Sequence, residues 1–210
     1  MSALYDAVLA NGAGTVSLDA YAWPAEVAPR RSLWERVTNV LYKLITPDRE
    51  RPWLDNYSHL GPRLSRGAQP GRDGFRSLAE MGVQTVINLR PEAPQEEVLV
   101  RSLGMDYLFY PMDPMAAPTH TQVLAFLHTV CDPKMGQVFF HCYHGADRTG
   151  VVAACYRLAH DGWPLERALE ELDEHRFHHA FQQPKLSYLR TFQRYWDALP
   201  AEERRRVLHK

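Results

Sequence analysis

The chain has 210 residues, 45% of them apolar and 23% charged, with a formal net charge of −1. These proportions describe a globular protein with a real core, one domain of ordinary size plus an extension. The near-neutral balance excludes a general attraction to nucleic acid or to anionic membranes, so any affinity for phosphate must be local.

Taken in order, residues 1–31 are rich in Ala, Gly and Pro without sustained periodicity and read as a loosely held arm, with one docked strand near 15–18. The start lacks the basic region of a secretory signal. Ser32-Leu33-Trp34-Glu35 has the spacing of a capping box, and Leu33, Trp34, Val37, Val40, Leu41, Leu44 and Ile45 share one helical face that stops at Pro47. The other face (Glu35, Arg36, Asn39, Lys43) is not strongly basic, which favours packing on the domain over membrane contact through residues 33–45. A polar linker over 48–58 completes an N-terminal region assigned to residues 1–55.

From Leu60 onward strand and helix signals alternate. Strands are expected over 63–67, 83–89, 107–110 and 137–140. Helices are expected over 73–81, near 94–103, and through Val123, Leu124, Leu127, Val130 and Cys131. A helical run over 151–159 follows, then helices opened by Pro164 and Pro184. This alternation predicts an α/β domain over 56–199, with a mostly parallel central sheet, helices on both faces and a ligand site at the strands' carboxyl ends. Residues 200–210 read as a charged, solvated tail.

One loop stands at such an end: His141-Cys142-Tyr143-His144-Gly145-Ala146-Asp147-Arg148-Thr149-Gly150, between the apolar strand over 137–140 and the helix at 151. Unpaired N–H groups and the macrodipole at a helix N-terminus attract anions, and such donors favour the thiolate of a cysteine at the loop's start. Arg148 adds a planar fork that grips two phosphoryl oxygens. Gly145 permits the tight curl, and Gly150 lets the helix pack closely.

The decapeptide resembles the signature of the cysteine-dependent protein tyrosine phosphatase superfamily: His-Cys, five residues, Arg, then Thr-Gly. Across residues 56–199 the chain is most similar to the bacterial-type dual-specificity branch, which implies that fold with an N-terminal helical extension here. The resemblance implies Cys142 as nucleophile and Arg148 as phosphate clamp. It implies substrate-phosphate contacts along Tyr143, His144, Gly145, Ala146 and Asp147, with Thr149 easing the thiolate's departure. His141 would orient the loop. The expected general acid is Asp113, which directly follows the third strand in Tyr110-Pro111-Met112-Asp113-Pro114 and also suits a plain turn before Pro114. Trp-Pro-Asp, found in the tyrosine-specific enzymes, is absent there.

Other residues leave alternatives open. Asp147 is a second candidate acid, a carboxylate that aims Arg148, or an outward turn residue. Arg90, at the end of the strand over 83–89, reaches the phosphate or makes a surface ion pair. Gln182 and Gln183, where the family has a loop flanking the pocket, are candidates to position water. His175, His178 and His179 invite a metal reading, but no cysteine or carboxylate completes an obvious set and thiol chemistry needs no metal, so neither metal nor cofactor is expected. Cys131, Cys142 and Cys155 are too few and odd in number for a disulfide framework, and a reducing cytoplasm is the expected setting.

The expected activity is therefore hydrolysis of phosphomonoesters, phosphotyrosine in proteins first and inositol phosphates or phosphoinositides second. A catalytically silent phosphate-binding adaptor and a cysteine-based reductase are the rivals from other classes.

Overall fold

The computed structural model describes residues 54–91 and 96–210; the arm and the helix expected over 33–45 lie outside them. A hairpin opens the domain, β1 (Ser58–Gly61) and β2 (Leu64–Gly67), followed by α1 (Arg72–Glu80), β3 (Thr85–Asn88), α2 (Glu96–Ser102), β4 (Asp106–Phe109) and α3 (His120–Cys131). A short 3₁₀ turn, Pro133–Met135, leads into β5 (Val138–His141), then α4 (Asp147–Ala159), α5 (Leu165–Glu174), α6 (Gln183–Ala198) and α7 (Ala201–Leu208).

The sheet runs β1-β2-β5-β3-β4, antiparallel only between β1 and β2. Residues of β2, β3 and β5 are buried throughout, as expected of strands covered on both faces. Successive side chains alternate between two cores. Val138 and Phe140 of β5 join Ile87 and the inner faces of α3, α4, α5 and α6. Phe139 and Val86 face the other way, toward Phe75 and Leu78 of α1 and Val100 of α2. The sheet is thus covered on both faces. Among the described residues no helix is long and apolar enough to cross a membrane.

Three elements depart from expectation. β1 falls partly in the predicted linker. α4 starts at Asp147, inside the loop sequence, rather than at residue 151. The tail is not merely a solvated end: it forms α7, whose charged residues stay exposed or half-buried while Val207 and Leu208 enter the larger core. The His209 ring stacks on His128 at 4.2 Å, and its Nε2 lies 3.0 Å from the His128 carbonyl oxygen.

Gly67, His141 and Asn88 align at the carboxyl ends of three neighbouring strands. From there α4 continues to one face of the sheet and α2 to the other, so the chain diverges between β5 and β3. That is where an open α/β sheet leaves a crevice for a ligand.

Candidate active site

The loop after β5 fills this crevice. Cys142 is 2% exposed, and Arg148 and Thr149 are buried in the first turn of α4. No described side chain caps α4, which leaves the first-turn amides for a ligand. The Thr149 hydroxyl is buried without a hydrogen-bond partner among the described residues, so it does not serve the helix as an ordinary cap. Gly145 has φ +68°, and a Cβ there would stand 2.5 Å from the Gly67 carbonyl carbon, against backbone that cannot yield. At Gly150 a Cβ would meet the Leu172 side chain at 2.9 Å, so this glycine lets α5 approach α4.

Several groups hold the loop from outside. Arg66, fully buried in β2, donates from Nη2 to the Gly145 carbonyl at 2.7 Å, while its Nε and Nη1 have no partner among the described residues. Burial pushes its guanidinium pKa down to about 10, against the pull of Glu171 and Cys142. Asn56 donates from Nδ2 to the carbonyls of His144 and His175, at 3.2 and 3.0 Å. The Gln69 N–H donates to the Tyr143 carbonyl at 3.1 Å.

A polar chain runs through the other side. His141 Nε2 stands 3.0 Å from Glu96 Oε1, at ion-pair distance though not aligned as a hydrogen bond. Glu96 Oε2 accepts from Gln69 Nε2, and Gln69 Oε1 accepts from Arg90 Nη1 at 2.7 Å. Burial opposes ionisation of Glu96, but His141, Gln69 and Arg90 together hold its carboxyl below the usual range. Arg90 is buried with its guanidinium 4.9 Å from the Tyr143 ring centre.

The three histidines after α5 each have separate work. His175 shares both ring nitrogens with Asn56 and Ser58 and is pushed down to about 4, by burial first and Arg66 next. His178 binds Asp147. His179 pairs with Asp173 on the surface. Asp147 is thus turned to His178 and is not the outward turn residue of one reading.

Asp113 follows β4 and is exposed; its Oδ1 accepts from the backbone N–H groups of Met115 and Ala116, at 2.7 and 2.6 Å. The turn reading is therefore correct for one oxygen, and the other is outside that turn. Gln182 is buried and spends its amide on the same segment, donating to the Pro114 carbonyl at 3.1 Å. Gln183 is exposed and donates to the His179 carbonyl. These bonds tie both amides to backbone carbonyls.

The protein families decide what this loop belongs to. Residues 34–187 match the family described as DSP-PTPase phosphatase fused to NAD+ kinase. The chain belongs to this DSP-PTPase family. It is 30% identical to the dual specificity protein phosphatase TpbA of Pseudomonas aeruginosa over 129 residues, 58% of this chain and 55% of that protein. It therefore spans about half the length of that curated relative. Identity to the putative tyrosine-protein phosphatase OCA1 of Mycosarcoma maydis is 31% over 125 residues, 55% of this chain and 77% of that one. The solved structure of P. aeruginosa TpbA superposes with a TM-score of 0.59 at 23% identity, covering 71% of this chain and 99% of that one. The core catalytic domain of the PP-IP phosphatase SIW14 from S. cerevisiae does so at 0.58 and 24%, covering 76% and 94%. Both likenesses are of fold.

Within the DSP-PTPase frame, sequence reasoning missed Arg66, Glu96 and Lys185. The visible signal for Arg66 was an arginine inside a strand with no exposed face. Glu96 and Lys185 gave none, because charged residues on helices are ordinarily solvated. Of the remaining cysteines, burial pushes Cys131 up to about 12 and Cys155 well above its ordinary value. Both are inert as nucleophiles in that state.

Proposed function

We propose that this DSP-PTPase family member is a phosphomonoester hydrolase acting through a cysteinyl-phosphate, with phosphotyrosine in proteins as its substrate class. The observation that carries the reading is the pairing of buried Cys142 with the uncapped N-terminus of α4, whose first turn contains Arg148 and Thr149. Backbone donors and one guanidinium around a buried sulfur suit a dianion that must be held while charge moves across it.

In this mechanism the Cys142 thiolate attacks phosphorus in line, and the bond to the leaving oxygen breaks. Asp113 gives that oxygen a proton. Water then attacks the phosphocysteine and returns its proton to the Asp113 carboxylate. The thiolate leaves with inorganic phosphate as product, accepting a hydrogen bond from the otherwise unpaired Thr149 hydroxyl. His141 orients the loop, with Glu96 behind it, and Arg90 lies against the Tyr143 ring beside the loop. Support for the phosphotyrosine class comes from relatives: TpbA was crystallised as a Cys-to-Ser variant with pTyr, and OCA1 is named a putative tyrosine-protein phosphatase.

The test is phosphate release, with chelator present, from a tyrosine phosphopeptide and from inositol hexakisphosphate, beside Cys142→Ser. Release from the phosphopeptide should fall by about 10⁴-fold or more in the variant. Release retained by Cys142→Ser would overturn the covalent route, and preferential release from the inositol phosphate would overturn the substrate class. Oxyanion binding without turnover would identify a silent adaptor.

A further inference from the structure

Lys185, in the first turn of α6, is 1% exposed. Its ammonium donates to the Pro114 carbonyl at 2.8 Å and to Gln182 Oε1 at 2.7 Å, and Gln182 Nε2 donates to that same Pro114 carbonyl. Both of these acceptors are neutral. A buried cation whose partners among the described residues are neutral oxygens costs stability, and an apolar side chain of similar length would pack there at less cost. The charged groups that act on it are Asp147 and Arg148 on α4, Asp113 on the β4–α3 segment, and Cys142 in the loop. Burial dominates and pushes Lys185 down to about 8, although Asp147, Asp113 and Cys142 pull the other way.

We propose that Lys185 is a positioning residue that fastens the Asp113 segment over the site through the Pro114 carbonyl, so that the acid stands ready when the leaving oxygen departs. The inference rests on the phosphomonoesterase reading with Asp113 as proton donor. The carbonyl it grips belongs to the residue immediately after Asp113. Among the described residues Asp113 itself is anchored to its own turn, through Met115 and Ala116. Lys185 and Gln182 therefore supply the tie between that turn and α6, the helix that follows the His178 segment. The buried ammonium acts on the acid's placement and not on the phosphate.

The experiment compares Lys185→Met, Asp113→Asn and the double variant on a series of phosphate esters running from p-nitrophenyl to alkyl leaving groups, with melting curves to establish folding. Lys185→Met should lower kcat about tenfold or more on alkyl esters and less than about threefold on p-nitrophenyl phosphate, with KM little changed. In the Asp113→Asn background it should add no further loss on alkyl esters. A loss equal across the series, or one that multiplies with Asp113→Asn, overturns the assignment. A series in which Asp113→Asn itself shows no leaving-group dependence overturns instead the acid reading beneath it. If Lys185→Met melts out, Gln182→Leu decides, since it removes the second donor to Pro114. It should show the same selective loss, smaller in size, and a uniform loss there overturns the proposal.

Discussion

His178 holds Asp147 twice: its backbone N–H donates to Oδ1 at 3.0 Å and its Nδ1 stands 2.9 Å from Oδ2. Burial opposes ionisation of Asp147, but these bonds, the charge of His178 and Lys185 nearby hold its carboxyl below the usual range. The hydrogen bond to Asp147 in turn raises His178 above 6.5, against burial. A carboxyl kept ionised in this way is a poor proton donor. Asp147→Asn should therefore lower turnover by a similar factor on good and poor leaving groups. A loss confined to poor ones would make Asp147 the acid.

The same pair has a pH signature. The raised histidine contributes stability that is complete below its unfolded pKa and is lost as pH rises through its folded one. The lowered carboxylate contributes stability that is lost as pH falls through its folded pKa. His178 is about a third exposed, so screening limits the pair to about 1 kcal/mol. The difference in melting temperature between wild type and Asp147→Asn should be largest near pH 6 and shrink toward pH 9. A constant difference would remove the ion pair as its cause.

Asp113→Asn should cost about a hundredfold on alkyl phosphates and far less on p-nitrophenyl phosphate, whose leaving oxygen needs no proton. Steady-state rates across the ester series check this, and equal losses would point to another donor.

Arg66 predicts a divergence between stability and binding. Its guanidinium is fully buried, with two nitrogens unpaired among the described residues, so replacing it by an apolar chain of like length removes an expensive buried charge. Arg66→Met should keep or raise the melting temperature while weakening vanadate inhibition about tenfold, through loss of the bond that shapes the loop at Gly145. A lower melting temperature with unchanged inhibition would reverse the argument.

Val207 is fully buried at the end of α7. Val207→Asp should destabilise by about 3 kcal/mol or more, measured by urea unfolding. A change below about 0.5 kcal/mol, as at a surface site, would mean that α7 does not dock.

The alternating pattern was legible because β3 and β5 carry short apolar runs, Val86-Ile87 and Val138-Phe139-Phe140, and the loop was legible because its chemistry is local. β1, with the sequence Ser58-His59-Leu60-Gly61, was not: it is an edge strand with a single buried side chain. α7 was hidden because most of its residues are charged and only its end turns inward. The frame of the site escaped for a related reason. What distinguishes Arg66, Glu96 and Lys185 from ordinary surface charges is burial against residues far away in sequence, and no local pattern records that.

Asn56 reaches His175 across 119 positions of chain, Arg66 reaches Gly145 across 79, and Lys185 reaches Pro114 across 71. Closing such spans comes late in folding, since their entropy is lost before the contacts reward it. The loop at Cys142 thus lacks its supports until the hairpin at the front of the domain has met the α5–α6 turn near its end. Recovery of activity should follow the return of native helix content after dilution from denaturant, and a growing chain would hold an unarmed cysteine until α6 had emerged.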